Sequence, residues 1–175
     1  MLELYKQLIA DQFEAALCMH SAAIDECPHA RWHEPVAQWR FSQAAFHALF
    51  FTDVYLGREL AELREQAFHR EHVDQFGDYE ELERRPPQAL YDKTFVGAYL
   101  QHCRDKAQRT VASETAESLA RRPGFDWLKF SRAEVHVYNL RHIQHHAAQL
   151  GLVLRNETGT GVDWVGSGWG EGWRA

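Results

Sequence analysis

The apolar positions of the chain fall into four stretches with helical spacing, separated by proline and glycine stops. In residues 2–25, Leu8, Ile9, Phe13, Ala16 and Met19 recur at three- and four-residue intervals, and Pro28 ends the pattern. A connector follows in which Pro28 and Pro35 bracket Trp32 and His33. Residues 38–66 contain the run 44–51 and stay apolar on almost every side up to Leu56, the pattern of a helix with neighbours all round. Beyond Gly57 the segment turns amphipathic and then polar. Residues 68–87 carry Gly77 and an acidic run, stop at Pro86-Pro87, and read as a partly ordered loop. Residues 92–118 place Phe95, Val96, Tyr99, Leu100, Cys103 and Ala107 on one side of a third helix. After Pro123-Gly124, Ser131 and Glu134 have capping-box spacing: the serine accepts the N3 backbone N–H and the glutamate reaches back to the cap. That box opens a fourth helix over residues 131–153.

The end of the chain is different in kind. Residues 156–175 hold Gly159, Gly161, Gly166, Gly168, Gly170 and Gly172 among Trp164, Trp169 and Trp173. Such a segment has little helix propensity, yet three indole rings are costly to leave in water. It is expected to fold back over the helices or into a partner subunit. No strand-period alternation persists, and no internal repeat is present. Four helices with apolar faces and uneven connectors bury themselves most simply as an all-α four-helix bundle over residues 1–155, with the Gly/Trp-rich tail over 156–175.

Composition adds limits. A chain of 175 residues, 45% apolar and 25% charged, is long enough and apolar enough for one full core. Its formal net charge is -6, and Arg84-Arg85 and Arg121-Arg122 are isolated pairs, which argues against a nucleic-acid partner. No window approaches the length of an apolar membrane span, and Glu3 and Lys6 stand where a signal peptide needs an apolar core. Cys18, Cys27 and Cys103 form an odd, widely spaced set without CxxC, as for reduced thiols in a cytoplasm. His102 and Arg104 flank Cys103, but a nucleophilic cysteine is the less expected reading.

Histidine changes the picture, with eleven in the chain. His142 and His146 lie one turn apart on the fourth helix, with Cβ atoms about 5–6 Å from each other. Val135, Tyr138, Asn139, Gln149 and Val153 share that face, so the pair points inward. His29 and His33 have the same spacing but lie between two prolines, where no helix is required. His47 is the one strongly polar ring in the apolar run 44–51. A lone histidine there is more often a satisfied core residue; a third imidazole from the central helix is also what the pair needs to hold one ion with positions left open. His145, about 60° off the face of the pair, is an outer-shell or surface position.

At these residues the chain resembles the DinB/YfiT-like family of metal-dependent enzymes. The resemblance is carried by Trp39-Arg40-Phe41-Ser42 leading to Phe46-His47-Ala48-Leu49, and by Asn139-Leu140-Arg141-His142-Ile143-Gln144-His145-His146-Ala147-Ala148-Gln149-Leu150. It implies a four-helix bundle with one histidine ligand from the second helix and an HxxxH pair from the last, here His47, His142 and His146. It also implies chemistry similar to that of S-transferases and isomerases that use low-molecular-weight thiols. The tail lies outside the family pattern.

An open three-histidine site can activate a water for hydrolysis or a thiol for transfer or isomerisation. Zincin-type hydrolases place a glutamate directly after the first histidine; here Ile143 stands there, which favours the thiol. Asp53, Tyr138 and Gln149 are outer-shell candidates. Asp53 lies about 120° around its helix from His47, and its plainer role is to partner an N–H or arginine inside the bundle. The rival reading is a non-catalytic helical dimer in which a metal closed by a fourth ligand (His20, His102 or His136) staples two helices. In a third, the histidines bind nothing. The expectation is one divalent transition metal, zinc or nickel first, a small-molecule substrate, a homodimer, and a cytoplasmic location.

Overall fold

The computed structural model describes residues 1–83, 85 and 87–169. The helices are α1 (Leu2–Glu26), α2 (Phe41–Leu56), α3 (Ala61–Glu65), α4 (Ala67–Glu71), α5 (Val73–Phe76), α6 (Lys93–Ser113), α7 (Ala116–Ala120) and α8 (Arg132–Thr158). Single 3-10 turns span His29–Arg31 and Glu80–Leu82. A minimal antiparallel hairpin, β1 (Pro35–Val36) with β2 (Trp39–Arg40), precedes α2 and pairs Val36 with Trp39.

The four long helices pack around one core: α1 and α2 each lie against both α6 and α8. The Tyr5 hydroxyl donates to Ala133 O (3.0 Å) and Gln144 reaches Met19 further along, so α1 and α8 run parallel. Arg132, at the start of α8, meets the end of α2, so those two are antiparallel. On α1 the inward row is Ile9, Phe13, Leu17 and Ile24, while Leu4 and Leu8 stay exposed. Phe46, Leu49, Phe50, Tyr99, Ile143 and Leu150 fill the centre, each such side chain contributing about 1.5–3 kcal/mol by leaving water.

The central helix has almost no solvent face. Every residue of α2 is buried except His47 and Phe51, which lie one turn apart and are half-buried. Its terminal carbonyls are therefore also away from water and need donors. One guanidinium supplies them: Arg132 donates to Tyr55 O (2.7 Å), Leu56 O (2.7 Å) and Gly57 O (2.6 Å). Its charge is met by Glu114 at 2.9 Å, which also accepts from His136 Nε2 at 3.1 Å. Despite its burial, these partners hold the Glu114 carboxyl down at about 2.

Several boundaries differ from the sequence reading. The second helix ends at Leu56, because Gly57 adopts an extended backbone and α3 starts afresh. The third ends at Ser113, and Thr115 caps a separate α7. The fourth runs on to Thr158, where Gly159 terminates it at φ 79°. At its start only half of the predicted box is made: Ser131 Oγ accepts from Glu134 N. Within residues 68–87, positions 68–83 are not a partly ordered loop. They hold α4, α5 and the 3-10 turn, which bury His69, Phe76, Tyr79, Glu80 and Glu81. Elements of three to five residues are too short to show a period, and His69, Glu80 and Glu81 are polar.

The described part of the tail folds back on its own chain. Gly168 N donates to Asp11 O (3.1 Å), Gln12 Nε2 donates to Gly166 O (3.1 Å), and Arg104 stacks over the Trp169 ring at 3.9 Å. Trp164 remains exposed; Gly170, Gly172 and Trp173 lie outside the described residues. Among the described residues, no helix is long and apolar enough to cross a membrane.

Arg132→Ala leaves three helix-terminal carbonyls and the Glu114 carboxylate without their donor. It is expected to cost about 3–5 kcal/mol in urea unfolding; a loss below about 1 kcal/mol would show that water replaces the guanidinium at little cost.

Candidate metal centre

The window in α2 faces α8. From opposite helices, His47, His142 and His146 bring one ring nitrogen each to within 4.8 Å of one another. Ring centroids are 5.4 Å apart for His47 and His142, 4.9 Å for His47 and His146, and 4.6 Å for His142 and His146. Among the described residues no other histidine, cysteine or carboxylate joins the group. The pair sits on α8 because an i,i+4 spacing stacks both rings over one turn. His47 reaches them because the run around it has nowhere else to open.

Aromatic rings wall the cluster. Trp39, delivered by β2, lies 4.3 Å from His47 and 6.0 Å from His146, parallel to the latter. Phe51 lies 4.8 Å from His47 and 5.7 Å from His142. This surround keeps the His142 and His146 rings neutral. Burial, then the neighbouring His146 and His47, pushes His142 down to about 2; burial, then His47 and His20, pushes His146 to about 3. Neutral imidazoles are the form that binds metal. His142 and His146 each keep a buried Nδ1 without a hydrogen-bond partner among the described residues. The donor set fits a late first-row divalent ion.

A contact that sequence reasoning missed lies behind His47. Its Nδ1 meets Glu81 Oε2 at 2.6 Å, and the other oxygen, Oε1, is buried without a partner among the described residues. Glu81 belongs to an acidic run, which reads as solvated; the only signal in the sequence is its place between Tyr79 and Leu82.

The remaining sequence-predicted residues divide. Asp53 is not beside the cluster: it is fully buried on the α6 side of α2. It accepts from His69 Nε2 (2.6 Å), Tyr99 OH (2.9 Å) and Gln66 Nε2 (3.1 Å), and pairs with Lys106. Its partners inside the fold are thus N–H groups of histidine, glutamine and lysine and a tyrosine hydroxyl, not an arginine, and the histidines and lysine hold its carboxyl well below the usual range against the effect of burial. Gln149 Nε2 contacts His145 Nε2 at 3.0 Å on the exposed side, and the His145 ring lies 5.2 Å from His146. Tyr138 packs edge-on to Tyr55 at 5.2 Å. None of the candidate fourth ligands joins the group: His20 bonds Ala45 O (3.0 Å), His102 bonds Gln66 (3.1 Å), and His136 bonds Glu114.

Two clefts flank the cluster. One, of about 550 Å³, reaches His146 past Val36, Trp39, Leu152 and Val153. The other, of about 540 Å³, reaches His142 between Tyr138 and Arg141. A third, of about 520 Å³, lies at the Arg132 end and contains none of the three histidines.

The depressed histidines also set an acid limit. Burial pushes His20 to about 4, and with His142 and His146 it stays neutral in the fold, whereas in the unfolded chain each binds a proton near pH 6.5, roughly. Below that pH the unfolded state holds more protons, so acid destabilises. The metal-free protein should hold its urea midpoint between about pH 7 and 8 and lose stability from about 6.5 toward 5, before carboxylates titrate. An unchanged midpoint at pH 5 would contradict the burial of these rings.

Comparison with known proteins agrees with this geometry. No curated protein and no solved structure matches the chain. The family model described as the DinB superfamily matches residues 12–150, a span that takes in all three histidines. The chain belongs to the DinB superfamily.

Proposed function

We propose that the chain is a metal-dependent enzyme that holds one divalent transition ion, zinc or nickel, through His47, His142 and His146 and acts on a small molecule. The observation that carries this reading is the convergence of three ring nitrogens within 4.8 Å without a fourth histidine, cysteine or carboxylate among the described residues. Structural zinc sites are closed by four protein ligands, while catalytic ones keep a position open. An ion bound there supplies Lewis acidity, lowering the pKa of a water or thiol.

The chain's own residues favour a thiol brought by a co-substrate, in transfer or isomerisation, over hydrolysis. Ile143 supplies no base beside His142. Burial raises the pKa of Cys18, of Cys27 to about 11, and of Cys103 well above its usual value, so no protein thiol is poised as a nucleophile. Trp39 and Phe51 exclude water from one side of the centre. Val36, Trp39, Leu152 and Val153 suit an apolar part of the substrate. The stapled, non-catalytic dimer lacks its fourth ligand, since His20, His102 and His136 are engaged elsewhere.

His146→Ala is expected to abolish one-to-one binding of added zinc or nickel in calorimetric titration while far-UV circular dichroism stays near wild type. Retained stoichiometric binding would remove His146 from the ligand set. A variant that unfolds would make the metal structural and favour the stapled reading.

A further inference from the structure

We propose that Glu81 is the positioning residue of this centre, and the inference rests on the metal-binding reading above. Its carboxylate holds His47 with the hydrogen on Nδ1, leaving the Nε2 lone pair for the ion.

The contact itself is short and dry. His47 Nδ1 and Glu81 Oε2 are 2.6 Å apart, with side-chain exposures of 16% and 3%. An ionised carboxylate only accepts, so the imidazole donates, and its other nitrogen is left bare. Turning the ring over would move Nδ1 off the carboxylate, and Trp39 and Phe51 pack against the ring with centroids 4.3 Å and 4.8 Å away. One tautomer and one orientation are therefore favoured together.

Glu81 is fastened to the helix that carries His47. Tyr79, two residues earlier, adopts a left-handed backbone at φ 63°, which a bulky side chain accepts only where surroundings enforce it. Its hydroxyl meets His69 Nδ1 at 3.0 Å, and His69 Nε2 meets Asp53 Oδ2, on α2, at 2.6 Å. On the other side, Glu80 Oε1 accepts from Gln88 N (2.9 Å) and Ala89 N (2.7 Å), and Gln43 of α2 donates to Pro87 O (2.8 Å) and Ala89 O (3.0 Å). The turn Glu80–Leu82 is thus tied back to α2 both before and after Glu81.

Among the described residues the His47 imidazole is the partner of Glu81 Oε2, and Oε1 is buried without one. Carboxylates that receive the second N–H of a ligating histidine orient the ring and raise its basicity.

The test begins with the metal-free wild-type protein. Long-range proton–nitrogen correlation, at a pH where the imidazole is neutral, should show His47 protonated on Nδ1 and bare on Nε2. Zinc affinity by chelator competition should then fall about ten- to a hundredfold in both Glu81→Gln and Glu81→Ala, with wild-type circular dichroism. His47 protonated on Nε2, or wild-type affinity in both variants, overturns the assignment. If neither variant folds, the tautomer in the wild-type protein decides. Failure of the wild-type protein to bind zinc or nickel would sink the metal-centre reading instead, and the His47 tautomer would still judge Glu81 by itself.

Discussion

The structure depends on the near-complete burial of α2. A helix with no solvent face cannot leave polar groups to water, so each must find a partner on another element. Those partners are the joints of the fold. Arg132 closes the carbonyl end of the helix, Gln43 holds the backbone around residues 87–89, and Asp53 draws in α6 and α4. The same requirement brings Glu81 to His47. Apolar packing supplies the bulk of the stability, but this set of buried bonds fixes which element lies where.

His47 and Phe51 are the exception on α2, and the exception makes the site. A single opening one turn long, facing the His142–His146 pair, concentrates three ring nitrogens where α2 and α8 meet. Aromatic walls keep the opening apolar, and the buried His142 and His146 rings stay unprotonated through the neutral range. Two clefts lead to the cluster from its two α8 histidines. Rigidity comes from the fold and access from the clefts, a division that suits a centre whose substrate must come and go.

Much of this was legible in the sequence because it rests on periodicity. The four long helices follow from apolar spacing and their stops, and the histidine pair from one i,i+4 interval on a capped helix. His47 stood out as a polar ring in an apolar run. The segment around residues 68–87 did not show its order, because its helices are single turns and its buried residues include His69, Glu80 and Glu81. Glu81 in particular has no local signature: a carboxylate in an acidic run reveals its burial only through a partner 34 residues away. Asp53 was legible as an internally partnered acid, but its partners arrive from α4 and α6, which no spacing along α2 can name.

The most direct measurement is X-ray absorption spectroscopy of the protein loaded with one equivalent of zinc or nickel. The account predicts three imidazole nitrogens in the first coordination sphere, with the rest of the sphere made of exchangeable light atoms and no protein sulfur. A fourth protein ligand, a thiolate signal, or fewer than three imidazoles would contradict an open centre built from His47, His142 and His146.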